Sequence, residues 1–178
     1  MSRPWILKIM QFPILAGFLL APVATVPALA VDTSEPTQAQ PELQKQALTV
    51  IARGGIRHDF SVELARTSRE QQVGLMFRQH IPDNGGMLFI WPAPQESEMW
   101  MENCPVPEDM LFVDADGVIR NIAENTVPQS LAHIPSGGPV KATIELQGGI
   151  TAKLGIRVGD RIESKAFDQA RQSAQPGG

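Results

Sequence analysis

The chain has 178 residues, with 15 Lys and Arg against 19 Asp and Glu, for a net charge of −4. Its single cysteine, Cys104, excludes an internal disulfide, and an acidic balance with no basic stripe argues against nucleic acid as a partner. The length suits one domain with a core of its own.

Residues 1–30 read as a secretory signal peptide. Arg3 and Lys8 precede an apolar run, "PILAGFLLAPVATVPALA", which ends in the small-x-small pattern Ala28-Leu29-Ala30. Pro4, Pro13, Pro22 and Pro27 argue against a regular membrane-spanning helix, and no other stretch is long and apolar enough to be one. Removal of the segment takes away two basic residues and no acidic one, which moves the net charge from −4 to −6. The expected location is periplasmic or secreted, with no stable membrane span after cleavage. Residues 31–46, polar and carrying two prolines, read as a flexible leader. The folded domain is expected over 47–167, with 168–178 a disordered tail.

"ALTVIA" (47–52) is the first predicted strand, and "FSVELA" is the second, with Phe60, Val62 and Leu64 on one face. Thr67-Ser68-Arg69-Glu70 fits a capping box and opens a short helix, whose Val73, Met76 and Phe77 recur at helical spacing. Gly74 weakens that helix or lets it approach a neighbour closely. "GMLFIW" (86–91) is too apolar for a one-sided strand and reads as central. "PAPQES" reads as a loop, and Glu98 to Met101 as a short strand with Trp100 opposite Met99 and Met101. "MLFV" and "VIRNIA" flank Asp114-Ala115-Asp116-Gly117 and read as a hairpin. Residues 124–139 read as a long loop. "VKATIEL" (140–146) alternates, with Lys141, Thr143 and Glu145 expected on the solvent side. A short helical turn follows, and a last strand lies around Arg161 to Glu163. Seven or eight short strands with one or two short helices predict a mainly β domain, a single antiparallel sandwich or barrel.

Four stretches, "VELARTSREQQVGLMFR", "GGMLFIW", "MWMENCPVPEDMLFVDADGVI" and "IELQGGITAKLGIRVGDRI", resemble the bacterial and archaeal family DUF192 (UPF0127), a domain of unknown function. The resemblance covers about residues 60–163. It implies a mainly β, jelly-roll-like fold and no particular reaction. Members carry a tryptophan-methionine-lysine-asparagine-threonine run followed by proline-leucine-aspartate. Trp100, Met101, Asn103, Pro107 and Asp109 match that pattern, whereas Glu102, Cys104 and Glu108 stand where the family has lysine, threonine and leucine. A role resting on that lysine's charge is lost or reversed here.

The polar interruption between Trp100 and Asp109 is where the sequence places a site. Trp100, Glu102, Asn103 and Asp109 are the expected ligand-binding residues, because an aromatic beside polar groups is the usual make-up of a ligand site. Against this, Asn103 and Asp109 also suit Asx turns that hold an irregular loop. Met99, Met101 and Cys104 offer soft ligands for Cu(I), although methionine also fills irregular gaps in β cores. His58, His80 and His133 have no motif context for activating the thiol; His133, in the long loop, could fold over the site. Glu98, Glu102, Glu108, Asp109, Asp114 and Asp116 lie close in sequence, and a pair of them could serve as acid and base in a hydrolase. The leading reading is a non-enzymatic binding or accessory protein for a small molecule, carbohydrate among the classes, or for another protein, with no cofactor. An acid/base hydrolase and a Cu(I)-binding protein are the alternatives.

Overall fold

A computed structural model describes residues 34–168. The segment read as a signal peptide and nearly all of the expected tail lie outside the described residues. The elements are β1 (Lys45–Ala52), a 3₁₀ turn (Arg53–Gly55), β2 (Ile56–Ala65), α1 (Ser68–Val73), β3 (Gly85–Met99), β4 (Glu108–Val113), β5 (Ile119–Ala123), β6 (Ile134–Gln147), α2 (Ile150–Leu154) and β7 (Arg161–Ser164). No helix among the described residues is long and apolar enough to cross a membrane.

The strands form one sheet in the order β5-β4-β6-β3-β2-β1-β7, curled into a half-barrel. Its two edges meet at one end, where Val118 bridges Arg161 and Ile162 N–H donates to Gly117 O at 2.7 Å. Joining edge to edge there covers backbone groups that an open sheet leaves unpaired. The sheet is mixed rather than purely antiparallel, because β2 and β3 run parallel with Val62 opposite Gly86. A parallel pair needs a crossover of a dozen or more residues. Residues 66–84 supply it, and the capping box at Thr67 starts the helix within it.

Both faces of the middle strands are covered. The concave face carries Leu48, Val50, Phe60, Val62, Leu88, Leu111, Ile144 and Leu146, closed at the end by Ile150, Ile156 and Phe167. The other face of β3, β4 and β6 carries Met110, Phe112 and Val140, packed under Val73 and Met76 from the α1 region and Met101 and Cys104 from the irregular segment before β4. This second layer explains why "MLFIW" and "MLFV" read as unbroken apolar runs: neither has a wet face.

Four expectations change. "PAPQES" is not a loop but the middle of β3, and its prolines only shift the register against β6 between Ile90 and Gln95. A proline lacks the N–H for a ladder bond, so pairing is interrupted locally without ending the strand. The long loop is shorter than 124–139, because β6 already begins at Ile134. Lys141, Thr143 and Glu145 do not face solvent; they are 7%, 0% and 5% exposed, because the second layer lies over them. The stretch read as a loose leader is tied down from Gln40 onward. The Gln40 amide donates to the carbonyls of Glu70 and Gly74, and Leu64 N–H donates to Gln44 O.

Candidate functional site

The site is built where α1 leaves the helical conformation. Thr67 Oγ1 accepts from Glu70 N–H at 3.2 Å, and Glu70 Oε2 accepts from Thr67 N–H at 2.8 Å, so the capping box is complete. That hydrogen bonding to the Thr67 backbone also holds the exposed Glu70 carboxyl below its ordinary pKa. The helix stops at Gly74, whose φ of +50° suits glycine. A β-carbon there would press on the Phe89 ring at 3.3 Å, so the residue also allows the close approach of α1 to the sheet. Phe77 then adopts a φ of +63°, and its N–H donates at 2.7 Å to the carbonyl of Asn103, itself at a φ of +56°. Two non-glycine residues in the left-handed region therefore join the end of the helix to the Trp100–Asp109 stretch. Asparagine accepts this conformation readily; phenylalanine does so at a cost of about 1–3 kcal/mol.

Between this unit and the sheet lies a cleft of about 110 Å³, whose walls include Phe89, Trp91, Met99, Trp100, Cys104 and Glu145. The Phe89 and Trp91 rings stack with centroids 6.2 Å apart. Trp100 keeps 41% of its surface exposed. At the rim, His133 Nδ1 and Glu98 Oε2 are 2.8 Å apart, and the His133 ring lies 6.5 Å from that of Trp100. His133 thus folds over as the loop reading allowed, and it meets Glu98 and Trp100. The loop is laid along the stretch by backbone bonds, Met101 N–H to Ser130 O at 2.9 Å and Gln129 N–H to Cys104 O at 3.1 Å. A larger hollow of about 260 Å³ includes Glu63, Arg78 and His80, but there Arg78 and Glu63 are paired at 3.2 Å.

Beneath the cleft is a group of oxygens with few donors around them. Glu145 on β6 reaches its wall, and Glu145 Oε2 has no hydrogen-bond partner. Glu108 on β4 is fully buried, and among the described residues the Cys104 thiol is the one side-chain donor set against its carboxyl. Glu108 pairs with Gln147 across the ladder, and Gln147 Oε1 is unpartnered too. Burial pushes the Glu108 carboxyl up to about 7. Burial, with the Glu108 charge beside it, pushes Glu145 well above the usual carboxylate range. The Cys104 thiol is raised as well, first by burial and then by the two carboxylates. A thiol so placed stays neutral and is a poor nucleophile.

Of the four residues expected to bind ligand, Trp100 lines the cleft and the other three do not. Asn103 holds the backbone turn just described. Glu102 is half-buried beside it. Asp109 is fully buried on the other side of β4, where its carboxylate accepts from Asn125 N–H, Gly149 N–H, Thr151 N–H and Thr151 Oγ1 at 2.6–2.8 Å. It ties β4 to the loop and to the start of α2 and has no capacity to spare for a ligand. Of the soft ligands, Met101 Sδ accepts from Thr126 Oγ1 at 3.1 Å, while Met99 and Cys104 line the cleft. Among the described residues, no three His, Cys, Asp or Glu side chains gather as a metal site. Asp114 accepts from Asp116 N–H and Val118 N–H within the hairpin, where Gly117 has a φ of +78°. His58 lies on β2 and His80 beside the larger hollow, both away from Cys104.

Glu145 is the residue that sequence reasoning missed. Alternation within "VKATIEL" says only that it shares a face with Lys141 and Thr143. Whether that face is wet depends on a helix seventy residues earlier in the chain. Glu108 had a signal of its own, a carboxylate standing where the resembling family has leucine.

A family model, DUF192, described as "Uncharacterized ACR, COG1430", matches residues 49–164. Two solved structures are similar over most of the chain. One is a candidate transcription regulator from Sinorhizobium meliloti 1021, 40% identical with a TM-score of 0.69, the match covering 72% of this chain and 99% of that one. The other is a protein of unknown function from Novosphingobium aromaticivorans DSM 12444, 41% identical with a TM-score of 0.66, covering 79% and 94%. No curated protein matches the chain.

Proposed function

The chain belongs to the DUF192 family, whose members are uncharacterised, and from that premise we propose that it is an exported accessory protein that binds a small molecule in the cleft beneath Trp100. The observation that carries this reading is the make-up of the cleft. A half-exposed tryptophan and two further rings stand over a buried carboxylate oxygen that no group of the protein satisfies. Buried polar groups are nearly always hydrogen-bonded, so one that opens onto a cleft suits a guest that brings the donor. Export is supported by the basic start, apolar run and Ala28-Leu29-Ala30 exit of the first thirty residues.

Binding is favoured over hydrolysis by the placement of the acids. Glu145 and Glu98 both line the cleft, but Glu98 is exposed at the rim and engaged with His133, which leaves no free pair to face a substrate. A net charge of −4 does not suit a surface that neutralises phosphates.

Native mass spectrometry of the gently purified chain, set against a denatured control and Trp100→Ala, tests the reading. A mass excess that disappears on denaturation and is absent from the variant is the expected result. An excess kept by Trp100→Ala would place the ligand elsewhere, and a bare mass in the wild type would shift the assignment toward a protein partner.

A further inference from the structure

The unmet groups around the cleft are unequal in kind. Among the described residues, Glu145 Oε2 and Gln147 Oε1 lack donors and the Glu108 carboxyl has only the Cys104 thiol, while Trp91 Nε1 is a buried donor without an acceptor. Glu145 is 5% exposed, and its side chain forms part of the cleft wall. No Lys, Arg or His lines that wall among the described residues, so nothing in the protein balances its charge. The nearest histidine, His133, is occupied at the rim with Glu98. The wall also carries the rings of Phe89, Trp91 and Trp100 and the thioether of Met99, with the amides of Gln71 and Gln72 on the α1 side. Rings attract a cation through their negative faces, and a desolvated carboxylate attracts it through its charge.

We propose that the cleft takes a small organic cation, a primary ammonium, whose charged head meets Glu145 and whose carbon chain lies against the rings. This rests on the binding reading above and adds the chemical class of the guest. A carboxyl group set among aromatic rings favours a cation over a neutral polyol. The cavity of about 110 Å³ limits the guest to a few heavy atoms, roughly the space of three or four waters.

Uptake of the cation also has a protonation consequence. The titratable groups around the ammonium position are Glu145 on β6, Glu108 on β4, Glu98 on β3, Cys104 in the stretch before β4, and His133 in the loop. Burial keeps the two inner carboxyls protonated to higher pH than usual, so a cation binds in exchange for a proton and its affinity rises through neutral pH.

The test compares two probes of nearly equal size, n-butylammonium and 1-butanol, titrated into the full chain at pH 6 and pH 8 and followed by tryptophan fluorescence. The expected result is a preference of about tenfold or more for the ammonium at pH 8, smaller at pH 6 and lost in Glu145→Gln. The wild-type comparison needs no variant, so it stands even if Glu145→Gln folds poorly. Equal response to both probes, unchanged by Glu145→Gln, would overturn the cation assignment and leave the cleft a binding site. No response to either would also overturn it, and the mass-excess experiment then decides the binding reading separately.

Discussion

Glu108 and Asp109 are neighbours in the chain, both fully buried on β4, and the structure treats them in opposite ways. Asp109 points to the side where α2 begins and is met by four donors. Glu108 points to the layer under α1 and the Trp100–Asp109 stretch, and is met only by the Cys104 thiol, a weak donor. A strand turns successive side chains to opposite faces, so one residue step separates a saturated carboxylate from a poorly met one. The first is a structural clamp, and a poorly satisfied charge of the second kind costs stability unless something outside the protein makes use of it. The site is therefore assigned to the face Glu108 shares with Glu145, and not to the aspartate that the sequence pattern puts forward.

The sharpest way to break this comparison is to remove each member. Asp109→Ala leaves several buried N–H groups without an acceptor and should lower stability by about 3–4 kcal/mol in urea unfolding. Glu108→Leu deletes a buried carboxyl whose only donor is the weak Cys104 thiol and supplies apolar volume to a methionine-rich layer, so it should raise stability by about 2 kcal/mol. If both substitutions destabilise alike, the Cys104 thiol holds Glu108 as firmly as the four donors hold Asp109, and the contrast fails.

Acidity sharpens the same contrast. With its carboxyl raised from 4.5 to about 7, Glu108 keeps its proton when folded at pH values where the unfolded chain has released it. The folded state then binds more protons, so stability falls as pH rises across that window and levels off above it. Glu145, raised for the same reason, acts in the same direction. Glu70 and Asp83, whose carboxyls are lowered, act below the window, where stability is lost as pH falls. Urea midpoints at pH 5, 6, 7 and 8 should therefore decline for the wild type and decline less for Glu108→Leu. Parallel curves for the two proteins would show that Glu108 titrates normally.

Much of the fold is legible in the sequence because it is local. The capping box at Thr67, the Asp114–Gly117 turn and the apolar face of β2 at Phe60, Val62 and Leu64 each depend on residues a few positions apart, and each is found where the pattern puts it, although Glu63 on the opposite face of β2 is buried too. What the pattern misses depends on distant chain. Pro92 and Pro94 look like strand breakers, but β6 continues to pair with β3 beyond them. Glu145 looks solvent-facing, but α1 and the Trp100–Asp109 stretch cover it. Of the candidate site, Trp100 is legible because an exposed aromatic beside polar residues is a local signal. The floor beneath it is not, because it takes two strands far apart in sequence to bring Glu108 and Glu145 to one face.

The smaller effects distinguish the roof of the cleft from its wall. Asn103→Ala puts a less tolerant residue at a φ of +56° and should cost about 1 kcal/mol, while Asn103→Gly should cost less, since glycine takes that conformation freely. Trp100→Ala should change stability least, within roughly 0.5 kcal/mol, because a side chain 41% exposed and set beside a histidine at the rim contributes little to the core. The value of that last substitution lies in its smallness. A variant that folds like the wild type and no longer holds a guest assigns Trp100 to recognition. A variant that unfolds makes the tryptophan part of the packing that holds the stretch down, and the cleft then loses the residue on which its reading rests.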